Sequence, residues 1–218
     1  PQAFTGIIED NFPPNATLNG FVIPNLLTTS VYFEYSLTSD FQNPLESEAA
    51  EVTENGGVKK TITNLLPNTT YYYRFIAENE AGVSIGDTES FISQFAFGDY
   101  YNGGWVFHVD GTGLHGLVST RDSYWHRLRV NWGPEGITGA TDTALYTGDI
   151  NSQKMLDLIN PSSYQGYIVG RITLSTVGGN DDWHMASKDE LNLIYQNLYL
   201  NGIAPSIFVG GITWSSSE

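Results

Sequence analysis

The stretch "LLPNTTYYYRFIAENEAG", Leu65 to Gly82, decides how the first half of this chain folds. From Thr70 its side chains alternate. Tyr71, Tyr73, Phe75 and Ala77 share one face, and Tyr72 points the other way. A period of two is that of a half-buried strand. Asn79 and Gly82 then supply a turn.

Outward from this strand the same pattern recurs. "ATLNGFV" (16–22) alternates and is closed by Pro24. "TTSVYFEYSLT" (28–38) sets Val31, Phe33 and Tyr35 against Tyr32 and Glu34. "GVKKTITNL" (57–65) and "TESFIS" (88–93) add two more strands, with no competing helical period. Short strands at this spacing predict a β-sandwich. Leu65, Pro67, Thr69 and Tyr71 also form an L-x-P-x-T-x-Y pattern. On these residues and "YFEYS", residues 3–93 resemble a fibronectin type III domain. The resemblance implies that the Tyr71 hydroxyl bonds back to the preceding chain, forming a tyrosine corner. It also implies a spacer or docking role. No Arg-Gly-Asp tripeptide occurs, and Ile85-Gly86-Asp87 lacks the Arg. Asn15 and Asn68 each open an N-x-T glycosylation sequon.

Composition narrows the class. Aromatics make up 13% of the 218 residues, charged residues only 15%, and Gly contributes 23, a mix that favours turn-rich β structure. The net charge is −15, with 12 acids and 3 bases in residues 1–98 and 12 and 6 in residues 99–218. Such a field repels nucleic-acid phosphates and anionic membrane surfaces. The chain has no cysteine, which removes disulfides, thiolate metal sites and cysteine nucleophiles. No apolar run reaches the roughly 18 residues of a membrane span. The start at Pro1 reads as a mature or excised segment.

Beyond a glycine-containing junction (93–104) the chemistry changes: all five Trp and all four His lie in the second half. "GGWVFHVDGTGLHGLVST" (103–120) predicts a hairpin. Trp105, Phe107 and Val109 lie on one strand, Asp110–Gly113 form the turn, and Leu117 and Val118 lie on the return strand. Residues 147–160 predict a short helix capped by Asp149 or Asn151, with Met155, Leu158 and Ile159 buried and Pro161 after its end. Residues 187–199 predict a helix with a Ser187–Glu190 capping box and a stripe of Leu191, Ile194, Tyr195 and Leu198. "IFVGGITWSSSE" predicts a strand broken at Gly210-Gly211.

Three blocks, "GDYYNGGWVFHVDGTGLHGLV" (98–118), "DDWHMASKDELNLIYQNL" (181–198) and "GGITWSSSE" (210–218), resemble the C-terminal domain of the Lcl collagen-like adhesin. That family is similar to C-type-lectin-like folds and to the formylglycine-generating enzyme fold. Met185-Ala186 replace the family's Leu-Pro, which loosens the start of the helix. The family continues past its W-S-S block, whereas this chain stops at Glu218. The expectation is that further chain, or another subunit, completes the sheet at residues 208–214 by strand addition.

The chemistry of these residues favours binding over catalysis. Ser215, Ser216 and Ser217 lack a G-x-S-x-G elbow, and a recurring W-S-S block reads as packing. His108, Asp110, His115 and Asp122 match no zinc spacing, and "DGTG" is too short for a calcium loop. The calcium and sugar motifs of C-type lectins are absent, and the cysteines of the formylglycine relatives are missing. Trp105, Trp183 and Trp214, inside the motif blocks, read as core. Trp125 and Trp132 instead flank His126, Arg127 and Arg129 in the most basic stretch. Aromatic and arginine side chains suit glycan or protein contacts, so this loop is the candidate ligand site.

The expectation is a mainly β chain with an α+β second domain. Residues 1–95 form a fibronectin type III β-sandwich, and residues 99–218 an incomplete C-type-lectin-like mixed α+β domain. The resemblances imply a non-enzymatic bacterial adhesion or recognition protein, extracellular or on a cell or virion surface. Its second domain would bind a glycan or cell-surface protein, with no cofactor, metal, nucleic acid or membrane insertion. The alternative is a structural subunit of an appendage, filament or virion.

Overall fold

The computed structural model describes residues 1–120, 131, 133–134, 136–205 and 215–217. The chain divides into two compact units: Pro1–Ala96 with Asp110–His115, and Phe97–Val109 with Gly116–Glu218.

The first unit is a β-sandwich of two antiparallel sheets. In one sheet, β1 (Gln2–Thr5), β2 (Asp10–Phe12) and β7 (Gly56–Ile62) all pair antiparallel with β3 (Asn15–Ile23). In the other, β8 (Thr70–Asn79) lies between β4 (Thr29–Ser36) and the pair β9 (Gly82–Ile85) and β10 (Glu89–Ile92). The short β5 (Leu45–Glu46) and β6 (Ala50–Val52) pair along β4. Alternation does what the sequence demands of it. Tyr71, Tyr73, Phe75 and Ala77 are buried, with Leu18 and Val22 of β3 and Val31 and Phe33 of β4 in the same cluster. Tyr72 is half-buried on the opposite face. Phe33 and Phe75 meet at 4.8 Å, and Tyr71 stacks on Phe91 at 5.8 Å. Gly20 is required by this packing, because a Cβ there would lie 2.7 Å from the Phe75 ring.

The Tyr71 hydroxyl accepts a hydrogen bond from the Leu66 N–H at 3.0 Å, five residues upstream, which is the expected tyrosine corner. The Tyr73 hydroxyl donates to the Gly6 carbonyl at 2.9 Å, tying the two sheets together. Directly opposite across β4 and β8, Glu34 accepts from Arg74 (2.6 Å), whose guanidinium also sits 4.2 Å from the centre of the Phe41 ring.

The second unit holds a three-stranded sheet of β11 (Tyr100–Tyr101), β12 (Gly104–Val109) and β13 (Gly116–Thr120). Its helices are α1 (Gly148–Leu156), α2 (Ile168–Thr173) and α3 (Lys188–Ile194), the last continuing as a π turn, Tyr195–Tyr199. Two small apolar clusters support them. Met155, Leu156, Val169 and Met185 form one, and Phe107, Ile194, Leu198 and Ala204 the other.

Local details depart from the sequence expectations. The N-cap position of α1 is Thr147, two residues before Asp149 and four before Asn151, and its side chain makes no capping hydrogen bond to the helix. The helix ends at Leu156, so Leu156 is buried and Leu158, past the end, is exposed. On α3 the buried stripe is Glu190, Ile194 and Leu198, and Tyr195 is exposed and stacked on Tyr199 at 5.3 Å. In β12 a bulge between Val106 and His108 breaks the alternation, so Val106 and Phe107 are both buried and Trp105 only partly.

Candidate functional site

Trp125, His126, Arg127, Arg129 and Trp132, the ligand residues expected from sequence, lie outside the described residues. So do Trp214 and the expected strand edge at 208–214.

What the structure assembles is a buried polar node joining α1, the segment before α3, and the terminal serines. Asn151, Ser152, Ser187, Glu190 and Ser216 are all buried. Asn151 sits on the inner face of α1 and donates through Nδ2 to the Asp142 carbonyl at 2.6 Å and to the Ser216 Oγ at 3.4 Å. Ser152 accepts from the Met185 N–H at 3.0 Å. Ser216 donates through its N–H (2.7 Å) and its hydroxyl (3.1 Å) to the Ala186 carbonyl. The Ser217 hydroxyl donates to the Asp142 carbonyl at 2.8 Å and accepts from the Lys188 N–H at 3.1 Å. The serine hydroxyls thus pin backbone segments together, Ser216 and Ser217 each as donor and acceptor and Ser152 as acceptor.

Above the node, Ser187 caps α3. Its Oγ accepts from the Glu190 N–H at 3.3 Å and donates to the Ala144 carbonyl at 2.8 Å. Glu190 Oε2 accepts from the Ser187 N–H at 2.8 Å, which completes the capping box. His184 lies 3.6 Å from the same carboxylate. Burial opposes a charged ring at His184, but the contact and charge of Glu190 outweigh it and raise its pKa above the ordinary value. Burial likewise opposes ionisation of Glu190, but His184 and the backbone N–H groups of Ser187 and Gly148, all facing its carboxylate, hold the carboxyl below the usual range. Gly148 permits this close approach, since a Cβ there would lie 2.4 Å from Glu190 Oε2 and 2.7 Å from the His184 ring.

Beside the node opens a cavity of about 540 Å³, walled by α1 and the 181–184 segment. Asp149, Asp157, Asp181 and Asp182 line it, with Ile150 and Leu156 as apolar surface and His184 and Trp183 at one side. Lys154 also lines it and is paired to Asp142 at 2.9 Å. Trp183 is anchored by its indole N–H, which donates to the Val177 carbonyl at 3.0 Å. Among the described residues, no group of three or more His, Cys, Asp or Glu is placed to hold a metal ion. No described helix is long and apolar enough to cross a membrane. The capping box was legible in the sequence. The cavity was not, because it is built from aspartates that local patterning assigns to solvent.

No protein-family model and no curated protein matches this chain. Solved structures similar to parts of it include the following. One is the sensor domain of the anti-sigma factor RsgI4 from Pseudobacteroides cellulosolvens, 14% identical over 42% of this chain and 92% of that one, with a TM-score of 0.37. Another is a fibronectin type III domain derived from the human KIAA0970 protein, 16% identical over 42% of this chain and 72% of that one, with a TM-score of 0.32. These likenesses concern the fold alone.

Proposed function

We propose that this chain is a non-enzymatic recognition or adhesion protein of an extracellular or cell-surface setting, in which the sandwich spaces and the second unit binds. The second unit is read as an α+β, C-type-lectin-like domain of the Lcl C-terminal kind. The observation that supports binding is the cavity between α1 and the 181–184 segment. Its volume of about 540 Å³ falls within the range of small-molecule sites, and it opens beside the "DDWHMASKDEL" block that carries the family resemblance. Its carboxylates and apolar wall suit a glycan, or a protein loop presenting hydroxyl or cationic groups. The serine hydroxyls of the terminal block are engaged on backbone carbonyls, which favours a structural role for that block.

The test is a glycan array and a cell-surface binding assay on the full chain. Saturable binding is expected, weakened about tenfold or more by Asp182→Asn, the loss of about one charge-assisted hydrogen bond. Absence of binding would sink the reading.

A second reading, a structural subunit, is favoured by a different feature. Phe4 and Phe21 are cross-strand partners with 51% and 44% of their surface exposed. Exposed paired aromatics of this kind suit contact with another subunit. Concentration-dependent self-assembly, abolished by Phe21→Ser, would select it.

A further inference from the structure

The contacts of His184 call for a charged ring. Its Nδ1 lies 3.3 Å from the Asp182 carbonyl, and its Nε2 lies 3.6 Å from Glu190 Oε2. Both nitrogens therefore face acceptors. A neutral imidazole carries one N–H and can serve only one of them, whereas an imidazolium serves both. The partner carboxylate makes the same demand. Glu190 is fully buried, and its Oε1 has no hydrogen-bond partner. A carboxylate in that position is costly without a compensating cation.

We infer that His184 and Glu190 form a proton-operated latch that holds the cavity wall against the start of α3. The latch is closed when His184 is protonated and loosens when the ring becomes neutral. Other charged groups face the pair from the elements around it. Asp149 from α1 adds negative charge that favours the imidazolium, and Asp181 and Asp182 lie on the cavity wall. Lys154 of α1 is taken up by Asp142.

The sign follows from the two shifts. His184 is raised above 6.5, so its stabilisation is complete below pH 6.5 and is lost as pH rises through the folded value. Glu190 is lowered below 4.5, so its stabilisation is complete above pH 4.5 and is lost as pH falls through the folded value. The second unit is therefore held best between these limits. The latch does not depend on whether the cavity binds anything, and ligand-free protein tests it.

The experiment is an NMR titration of the histidine ring protons of the full chain, with His184→Gln identifying the resonance. It is paired with urea unfolding followed by tryptophan emission from about pH 6 to about pH 8.5. The expected results are a wild-type His184 midpoint above 6.5, and a urea midpoint that falls across the range in wild type but not in His184→Gln. Glu190→Gln should return the His184 midpoint to 6.5 or below. If that variant does not fold, the wild-type titration decides. A wild-type midpoint at or below 6.5, or an unfolding slope that survives His184→Gln, overturns the inference.

Discussion

Tyr71→Phe isolates the tyrosine corner. The substitution keeps the ring, which is 6% exposed and stacked on Phe91 at 5.8 Å, and deletes only the hydroxyl. That oxygen is the acceptor for the Leu66 N–H at 3.0 Å. The same corner is held by Ser93, whose hydroxyl donates to the Leu66 carbonyl at 2.5 Å and accepts from the Thr69 N–H at 3.0 Å. Leu66 itself is 57% exposed and the bond is only part-buried, so water can take over part of what the Leu66 amide loses. The cost is the net value of one part-buried hydrogen bond, about 0.5–1.5 kcal/mol. For a sandwich of this size, 1 kcal/mol corresponds to about 4–8 °C in Tm. Urea unfolding of the full chain by far-UV circular dichroism measures the loss. All five Trp lie at residue 105 or beyond, so tryptophan emission reports the second unit separately and should not move. Amide exchange at Leu66 should accelerate. Tyr72→Phe, on the opposite face, is the control. A Tyr71→Phe variant no less stable than that control, with Leu66 still protected, would refute the reasoning.

Two further substitutions test packing and capping. Gly20→Ala should destabilise the sandwich by about 1–3 kcal/mol, because the new Cβ meets the buried Phe75 ring at 2.7 Å; the far-UV urea midpoint reads it. Ser187→Ala removes the cap of α3 together with the bond to the Ala144 carbonyl. It should cost the second unit about 1–2 kcal/mol, seen as a lower urea midpoint by tryptophan emission.

Features set by local sequence were legible. β8 spans the residues its alternation marks, and the Leu65–Tyr71 pattern places the corner hydroxyl correctly. Ser187 and Glu190 cap α3 as their spacing requires. Features that depend on distant partners were not legible. The short strands β1, β2, β5, β6 and β9 have two to four residues each, too few for a period, and exist because β3, β4 and β8 offer them ladder partners. The bulge in β12 defeats a strict alternation. Helix α1 starts after Thr147 without a side-chain cap, and Asn151, which local sequence offers as a cap, lies inside the helix and is drawn inward to Asp142 and Ser216.

That inward turn of Asn151 bears on how the second unit is specified. The sandwich is fixed by interlocked aromatic rings, where shape decides register. Among its described residues, the second unit has only small apolar clusters, and a helix could slide against them at modest cost. Hydrogen bonds do not tolerate sliding. A shift of α1 by one residue would strand Asn151 and Ser152 together, and each buried unpaired group costs about 1–3 kcal/mol. The node therefore makes the misregistered packing expensive more than it makes the native one strong. The same logic explains why a carboxylate occupies the buried stripe of α3. Glu190 fixes that helix through its cap and through His184, and it gives the fold a dependence on pH that a leucine there would not have.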